Sequence, residues 1–255
     1  DHGLGMTDTD ARLAFGRHAT SKIKQADDLF SIHTMGFRGE ALASVAAIAH
    51  VDLKTRTGYG EISTSLRIEG SKVVAQEPVQ CPQGSNFIVK NVFFNVPARR
   101  KFLKKDTTEL NNSIREFIRV ALAYPDIAFT FIHNDHTLYQ LNSQNFGQRI
   151  VGVYGKNMQE NLIAVKSDTQ IVKIRGYIGK PEKAKKRSGE QFFFVNSRYM
   201  RNPYLYKAIM DAYERLIPQG AMPAYFLRFE IPAENIDVNI HPTKTEIKFE
   251  DNQAI

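Results

Sequence analysis

The chain is 255 residues long, more than a single small core needs, so we expect two domains of about 100 to 150 residues each. No apolar run approaches the roughly 20 residues of a membrane-spanning helix, so we expect no membrane as a partner. The formal net charge of +7 allows nucleic acid as a partner, because lysine and arginine neutralise phosphates. Cys81, the single cysteine, cannot form an internal disulfide, which is typical of a reducing compartment such as the cytoplasm.

Hydrophobic spacing in the first half of the chain changes from helical to alternating. An N-cap sequence at 7–10 predicts a short amphipathic helix that ends within 17–20, and the alanine-rich run 41–49 predicts a second helix. Alternating apolar residues then predict antiparallel hairpins. The predicted strands of this half are 51–55, 62–68, 73–74 and 84–89. An amphipathic stripe predicts a long helix over 107–123.

The second half alternates short strands with helices. The predicted strands are 127–132, 137–141, 162–165, 171–178, 191–195 and 225–231, and the predicted helices are 146–154 and 203–216. A strand, a helix and a further strand in this order imply a crossover connection packed on a sheet. The closing segment 236–249 alternates around Pro242, which predicts two strands with Lys244 on the turn between them. We place the boundary at the end of the long helix, so the predicted domains are 1–123 and 124–255.

Two glycine-rich stretches carry residue types that suit a nucleotide site. In 1–5, Asp1 precedes Gly3 and Gly5, which lets the backbone pass close to a ligand while a carboxylate accepts a hydrogen bond. In 36–42, two glycines bracket a basic residue before a helix, and the unpaired N–H groups of a helix start favour an anion such as phosphate. Each pattern alone also fits ordinary turn and cap chemistry.

Several sequence blocks stand in a recognisable order. They are DHGLGM (1–6), RHATSKI (17–23), GFRGEAL (36–42), NVPARRKFL (95–103), FVNSR (194–198) and HPTKTE (241–246). At these blocks the chain resembles the N-terminal ATPase region of the MutL family of DNA mismatch repair proteins, part of the gyrase, chaperone, histidine-kinase and MutL (GHKL) superfamily. The resemblance implies an α/β (α+β) fold, in which a GHKL-type α/β sandwich is followed by a second domain of ribosomal-protein-like β-α-β fold.

The resemblance further implies that the first domain binds ATP. It assigns Asp1 to accept from the exocyclic amine of adenine and gives Gly3 and Gly5 the role of making room for the purine. Ser85 stands near the adenine where the family normally has threonine. The other implied nucleotide-binding residues are Thr20, Ser21 and Lys22 in a flexible lid, and Gly36, Phe37, Arg38, Gly39, Glu40, Ala41 and Leu42 at the phosphates. Lys244 is implied to reach the γ-phosphate and to act in catalysis.

The same resemblance places a general-base glutamate and a Mg²⁺-binding asparagine in a helix that precedes Asp1. We therefore expect a Mg²⁺-dependent ATPase in the intact protein, no metal ligand in the present chain, and no ATP turnover by this chain alone. ATP binding is expected to drive dimerisation and DNA engagement, with a mismatch-recognition protein as a further partner. The expected location is the cytoplasm, at the nucleoid in a bacterium, or the nucleus in a eukaryote.

Two basic regions are candidates for DNA binding. The candidate residues are Arg198, Lys183, Lys185, Lys186, Arg187, Arg99 and Arg100. By resemblance, Arg198, which follows the predicted strand 191–195, faces a DNA groove. The lysine-rich loop 180–187 comes before that strand and is expected to be mobile. Such cations would contact phosphates and read no bases. A solvated basic surface explains the 99–105 cluster equally well without DNA.

Two other functions remain as alternatives. A type II topoisomerase ATPase subunit shares the two-domain plan and also sends a lysine across from its second domain. The blocks at 36–42, 95–103 and 241–246 favour the MutL family over that alternative. A non-enzymatic nucleic-acid-binding module explains the basic charge but leaves the order of the blocks as coincidence, and ATP binding distinguishes it from the other two.

Overall fold

The computed structural model describes residues 1–22, 36, 39–60, 62–187 and 189–232, together with the backbone of two short strands at 236–237 and 248–249. The chain divides into two compact units, Asp1–Asp106 and Thr107–Ile255. Within the described residues, no helix combines the length and the apolar character that crossing a bilayer requires.

The first unit is built on a four-stranded antiparallel sheet. Its elements are α1 (Asp8–Leu13), α2 (Ala41–Ile48), β1 (His50–Arg56), β2 (Ser63–Glu69), β3 (Lys72–Val79), β4 (Gly84–Lys90) and α3 (Pro97–Arg100). The strand order is β3-β2-β1-β4, so β1 is central and pairs with both β2 and β4. The predicted hairpins and the helix after residue 40 are therefore confirmed, and α3 is a short helix that the hydrophobic pattern did not indicate.

The core of the first unit lies on one face of this sheet. Val51 and Leu53 of β1 are buried beside Leu66 and Ile68 of β2, and Ala46 of α2 packs against them. The alternation of buried and exposed positions along β1 places every second side chain on this face. Burying each of the larger side chains contributes roughly 1.5–3 kcal/mol before the cost of ordering the chain.

The first helix is shorter than the sequence predicts. Thr7 caps α1 by accepting from the backbone N–H of Asp10, as expected, but α1 ends at Leu13. Turns follow, in which the N–H of Gly16 donates to the carbonyl oxygen of Leu13. Phe15 packs against the core from this turn, so its apolar side chain satisfies the sequence pattern without a helical backbone.

The second unit contains a five-stranded sheet and a separate hairpin. Its elements are α4 (Asp106–Ala123), β5 (Phe129–His133), β6 (His136–Leu141), α5 (Phe146–Tyr154), α6 (Asn157–Asn161), β7 (Leu162–Asp168), β8 (Lys173–Gly179), β9 (Gln191–Val195), β10 (Arg198–Met200), α7 (Pro203–Tyr213) and β11 (Tyr225–Glu230). The sheet order is β10-β9-β11-β8-β7, while β5 pairs with β6 alone. Strands β9 and β11 are parallel and α7 connects them, which confirms the predicted crossover. Helix α6 and strand β10 are elements that the sequence did not reveal.

Strand β9 forms the centre of the second unit because both of its faces are buried. Phe192 and Phe194 belong to one apolar cluster, and Phe193 and Val195 belong to another on the opposite face. A strand that is buried on both faces reads as a continuous apolar run instead of an alternating one. The five-residue run QFFFV has this composition.

Helix α4 packs with the second unit, so the division between the units comes before this helix instead of after it. The predicted boundary at 123/124 differs from the observed one because the C-terminal end of α4 is an integral part of the second core. Leu122 and Ala123 are buried in the same cluster as Ile150 and Phe226. Phe117 also contacts the rings of the β5–β6 hairpin.

A buried arginine fastens α5 to its surroundings. Arg149 has no exposed surface, and its guanidinium donates to the backbone carbonyls of Ala121, Pro125, Ile127 and Asn142 at 2.6 to 2.8 Å. Burial lowers the pKa of Arg149 below its ordinary value, and the nearby Asp126 carboxylate opposes that shift. A guanidinium stays charged in proteins, so the carbonyl oxygens supply the compensation that a buried cation needs.

The chain beyond residue 232 is described only as a short strand pair. Strands β12 (Ile236–Asp237) and β13 (Lys248–Phe249) run antiparallel, with Ile236 opposite Phe249. This pairing fits the two strands predicted within 236–249. The turn predicted between them, with Pro242 and Lys244, lies outside the described residues.

Candidate functional site

Two hydrogen bonds with Ser85 hold Asp1 beside the start of β4, and a third forms within its own loop. Its backbone nitrogen donates to the carbonyl oxygen of Ser85 at 2.8 Å, and the N–H of Ser85 donates to carboxylate Oδ1 at 3.1 Å. The N–H of Gly3 donates to the same oxygen at 2.9 Å. Both side-chain contacts use Oδ1, so among the described residues Oδ2 is left as an acceptor for a ligand. The structure thus brings together Asp1, Gly3 and Ser85 from the predicted site.

Two glycines allow close backbone contacts around the Asp1 loop. Gly84 has φ +112°, and a Cβ atom there would lie 2.2 Å from the carbonyl oxygen of Asp1. Gly5 has φ +69°, and its Cβ would lie 1.8 Å from the carbonyl oxygen of Arg56. Side chains at either position are excluded by the backbone itself. Gly5 is therefore explained by packing against the end of β1, which is a different reason from the room for a purine that the resemblance implies.

A buried hydroxyl lies beneath the Asp1 loop. Thr55 on β1 has no exposed surface, and its Oγ1 accepts from the N–H of Met6 at 2.9 Å. The same oxygen lies 2.9 Å from the carbonyl oxygen of Gly84 and 2.9 Å from Oγ of Ser85. Sequence reasoning treated Thr55 only as one position in an alternating strand. A threonine at a core-facing position was the available signal, because a buried hydroxyl needs partners.

A cleft opens beside these residues. Its volume is about 350 Å³. The side chains that give it chemical character are those of Asp1, His2, Lys54, Ser85, Asn86 and Phe87. The volume is at the small end of the range for ligand pockets, roughly 300–1,000 Å³, and it suits a heterocyclic base better than a whole nucleotide. Carboxylate and hydroxyl oxygens together with a phenylalanine ring are groups that can hold a planar base that carries an amino group.

The start of α2 lies against His18 and Ala19, the two residues that come directly before the predicted lid residues 20–22. Gly39 has φ +63°, and a Cβ atom there would lie 2.2 Å from the carbonyl oxygen of Ala19. Nδ1 of His18 lies 3.3 Å from Oε1 of Glu40. Glu40 is the N-cap of α2 but makes no side-chain cap within the described part of the chain. Within the described residues, the N–H groups of Ala41, Leu42 and Ala43 have no side-chain cap, which suits an anion.

The structure describes some of the other predicted nucleotide-binding residues but not all of them. The hydroxyl of Thr20 accepts from the backbone N–H of Lys22 at 3.1 Å, and Ser21 and Lys22 are exposed. Gly36 is described, and no heavy atom of the described residues lies within 4 Å of a Cβ built there. Three predicted residues, Phe37, Arg38 and Lys244, lie outside the described residues. Among the residues that the structure describes, no cluster of three His, Cys, Asp or Glu side chains could hold a metal ion.

The basic loop of the second unit has an anchoring contact at its centre, and its mobility stays a prediction. Lys185 forms an isolated β-bridge with Met222, with backbone N–H to oxygen distances of 3.0 and 2.8 Å in the two directions. Nζ of Lys185 also pairs with Oε1 of Glu190 at 2.5 Å. Lys183, Lys186 and Arg187 are exposed on either side of this anchor. They present the positive charge of the loop to solvent.

Arg198 is half-buried on β10, in contrast to the loop cations. Burial lowers the pKa of Arg198, and Tyr124 opposes that shift. On the same strand, the ring of Tyr199 lies 4.3 Å from the guanidinium carbon of Arg119. A hydrogen bond with Tyr199 raises the pKa of Arg201. Sequence reasoning missed Arg119, because its contact with Tyr199 joins positions far apart in the chain.

Arg99 and Arg100 lie on the short helix α3. Both are exposed, as are the lysines that follow them up to residue 105. Phe102 within this run keeps 78% of its surface exposed. The cluster is therefore a solvent-facing basic segment, and the structure shows no contact that distinguishes a DNA-binding role from a solvated surface.

Comparison with known proteins gives concordant matches. The family described as DNA mismatch repair protein, C-terminal domain, matches residues 150–255. The DNA mismatch repair protein MutL of Bacteroides fragilis is 58% identical over all 255 residues, which cover 41% of that protein. The protein of the same name from Flavobacterium psychrophilum is 57% identical over the whole chain, which covers 42% of it. The chain thus spans about two fifths of the length of these relatives.

Solved structures match the fold. The crystal structure of the N-terminal domain of a DNA repair protein aligns with a TM-score of 0.81 and 23% identity, covering 100% of this chain and 79% of that one. The Aquifex aeolicus MutL ATPase domain complexed with ADP aligns with a TM-score of 0.64 and 21% identity, covering 91% of this chain and 78% of that one. These matches confirm the expected α/β fold.

Proposed function

Because this chain belongs to the MutL family of DNA mismatch repair proteins, we propose that its first unit binds ATP and that its second unit binds DNA. ATP binding and hydrolysis by the intact protein would be coupled to dimerisation and to contact with a mismatch-recognition protein. The relatives are mismatch repair proteins, which favours this function over the topoisomerase alternative. A cytoplasmic location, at the DNA, is part of this proposal.

The observation that carries ATP binding is the arrangement of Asp1 and Ser85. Both backbone donors that reach the Asp1 carboxylate go to Oδ1, and Oδ2 remains to accept from the exocyclic amine of adenine. The cleft beside them has room for a base and offers the ring of Phe87. The structural relative from Aquifex aeolicus is described as complexed with ADP, which supports a purine nucleotide as the ligand.

The phosphates would extend from this cleft toward the start of α2. The uncapped N–H groups there, with the positive end of the helix dipole, suit an anion. We assign the γ-phosphate to Lys244 on the basis of the family resemblance. Among the described residues, no group of three acidic, histidine or cysteine side chains is placed to hold Mg²⁺.

DNA binding rests on the exposed cations of the second unit. Lys183, Lys186 and Arg187 face solvent from a loop that the bridge at Lys185 holds in place. Such a surface neutralises phosphates at fixed positions and reads no bases. Arg198 is assigned to the same role with part of its guanidinium shielded, and Arg99 and Arg100 form a second basic patch on the first unit.

Two binding measurements on the intact protein test this function. ATP affinity is measured by titration calorimetry, and DNA affinity by the fluorescence anisotropy of a labelled duplex at several salt concentrations. We expect ATP binding, and DNA binding that is independent of sequence and weakens steeply with salt. A folded protein that binds neither ATP at millimolar concentration nor DNA at low salt would overturn the proposal.

A further inference from the structure

We propose that Thr55 is a positioning residue that sets the direction of the Ser85 hydrogen bond and thereby makes the base site select adenine over guanine. This inference rests on the proposed ATP binding. Thr55 is completely buried on the central strand β1 and does not line the cleft. Its influence on a ligand is therefore exerted through the groups that its hydroxyl contacts.

The Thr55 hydroxyl has three neighbours and one proton. Oγ1 lies 2.9 Å from each of the N–H of Met6, the carbonyl oxygen of Gly84 and Oγ of Ser85. The Met6 N–H can only donate, and the Gly84 carbonyl can only accept. A hydroxyl offers one donor and two acceptor lone pairs. Thr55 therefore donates to Gly84 and accepts from Met6, which leaves one lone pair for its third neighbour.

This arrangement fixes the polarity of Ser85. To complete all three hydrogen bonds, the Ser85 hydroxyl must donate its proton to Thr55. Oγ of Ser85 then keeps only its lone pairs for the cleft and behaves as an acceptor. The reverse direction, with Thr55 donating to Ser85, would lose one of these three hydrogen bonds, because the single Thr55 proton would no longer reach the Gly84 carbonyl.

Base selectivity follows from two acceptors at the same site. Oδ2 of Asp1 and Oγ of Ser85 both accept, and the N–H of Ser85 holds the two side chains together through Oδ1. The 6-amino group of adenine donates to such a pair, whereas the 6-oxo group of guanine is itself an acceptor and is repelled. A Ser85 hydroxyl free to rotate would donate to that oxygen and accept guanine. Thr55 prevents this rotation.

The test compares base selectivity in substituted proteins. The affinities for ATP and GTP are measured by calorimetry for the wild type, Thr55→Val and Thr55→Ser. Valine keeps the shape of threonine but removes the hydroxyl, so we expect the preference for ATP over GTP to fall about tenfold. Serine restores the hydroxyl, and we expect it to keep the preference within about twofold.

Two further variants separate this role from general damage. Thr64→Val removes a buried hydroxyl from the neighbouring strand, at the position opposite Thr55, and should leave selectivity unchanged. Ser85→Ala removes the Ser85 hydroxyl itself. It should lower the preference for ATP over GTP although Thr55 is still present. Hydrogen exchange of the Met6 amide gives a readout without nucleotide, and it should be faster in Thr55→Val and unchanged in Ser85→Ala.

The outcomes distinguish this inference from the proposed function. A wild-type protein that binds no ATP overturns both. A wild type that binds ATP, with undiminished selectivity in folded Thr55→Val and Ser85→Ala proteins, leaves ATP binding intact and overturns the role of Thr55. Equal losses in Thr55→Val and Thr64→Val would also overturn it, because they would show a general effect of removing buried hydroxyls from the sheet.

Discussion

The backbone N–H of Ser85 donates to carboxylate Oδ1 of Asp1 over 3.1 Å, and so joins two residues that are 84 positions apart in the chain. The contact exists because Gly84 lets the Asp1 backbone approach to a distance that any side chain would block. It turns one carboxylate oxygen inward and leaves the other for a ligand. The proposed base site is thus a product of the sheet edge, where β4 meets the first residues of the chain.

Gly36 provides a cleaner test of the phosphate site than Gly39. A Gly36→Ala methyl lies more than 4 Å from every heavy atom of the described residues, and circular dichroism verifies first that the variant keeps its fold. We expect ATP affinity to fall more than about tenfold, because the proposed site would bring phosphate oxygens close to the backbone at this glycine. Calorimetry with ATP measures this, and adenosine is the control ligand whose affinity should not change.

The alternative substitution at Gly39 cannot isolate a ligand effect. Its φ of +63° and the 2.2 Å approach of a Cβ to the Ala19 carbonyl make any side chain disruptive without nucleotide. We expect Gly39→Ala to lower thermal stability, measured by circular dichroism, whereas Gly36→Ala leaves it unchanged. Equal stability of the two variants would show that the left-handed backbone at Gly39 is not required.

Arg149 should be essential to the stability of the second unit. Arg149→Met keeps an unbranched chain but leaves four backbone carbonyls without their donor. We expect local stability around α5 to fall by about 3 kcal/mol, which makes exchange of its amides about a hundredfold faster. Hydrogen exchange of residues 146–154 measures this. Arg115→Met, at an exposed position of α4, is the matched control and should change exchange by less than about twofold.

The loop cations should determine the salt dependence of DNA binding. A triple variant, Lys183→Glu, Lys186→Glu and Arg187→Glu, reverses the three exposed charges. It should weaken DNA binding and flatten the slope of log affinity against log salt by about 0.9 for each phosphate that is no longer neutralised. Anisotropy titrations over a range of salt measure the slope. The control carries Lys156→Glu, Lys207→Glu and Arg215→Glu, the same charge change at other exposed positions of the second unit. The assignment of DNA binding to this loop fails if both triple variants have the same slope.

Arg198→Glu should also weaken DNA binding, but it places an acid at a half-buried position. Its effect is interpretable only when circular dichroism shows an unchanged fold, because burial already disfavours a charge there.

Asp52 should make the first unit less stable in acid. A hydrogen bond from Lys90 lowers the pKa of Asp52, burial opposes the shift, and Arg67 adds to it. A carboxyl with a lowered folded pKa stabilises the fold above its unfolded pKa of about 3.9, and this contribution is lost as pH falls through the folded pKa. We expect Asp52→Asn to lower the melting temperature at neutral pH and to converge with the wild type in acid. Glu77→Gln, exposed on β3, is the control, and a pH-independent difference for Asp52→Asn would contradict this role of the carboxylate.

Elements fixed by local signals could be predicted from the sequence. Helix α5 begins and ends where the pattern predicts because Asn145 and Gln148 form a capping box and Gly155 follows the last turn. The hairpins of the first unit were likewise predicted from alternation. The helix predicted to reach 17–20 was too long, because the pattern could not show that Phe15 packs on the core from a turn.

Features that depend on distant contacts could not be predicted. The boundary between units lies before α4 because Leu122 and Ala123 are buried with residues of α5 and β11, and no linker composition marks that division. Arg149 and Thr55 look like ordinary surface and strand residues in the sequence. Only the folded chain surrounds them with carbonyls and hydroxyls. Asp1 and Ser85 were found because the resemblance named them, and the structure supplied the hydrogen bond between them.

Adenine recognition by Asp1 is tested most directly by the ATP affinity of Asp1→Asn. Asparagine Oδ1 can still accept from Gly3 and Ser85, so the loop should keep its conformation, which hydrogen exchange of residues 1–6 verifies. The amide nitrogen replaces Oδ2 and places a donor against the amino group of adenine. We expect calorimetry to show ATP binding by the wild type and a loss of more than about tenfold in Asp1→Asn. Undiminished ATP affinity in a folded Asp1→Asn protein would contradict the proposed base site.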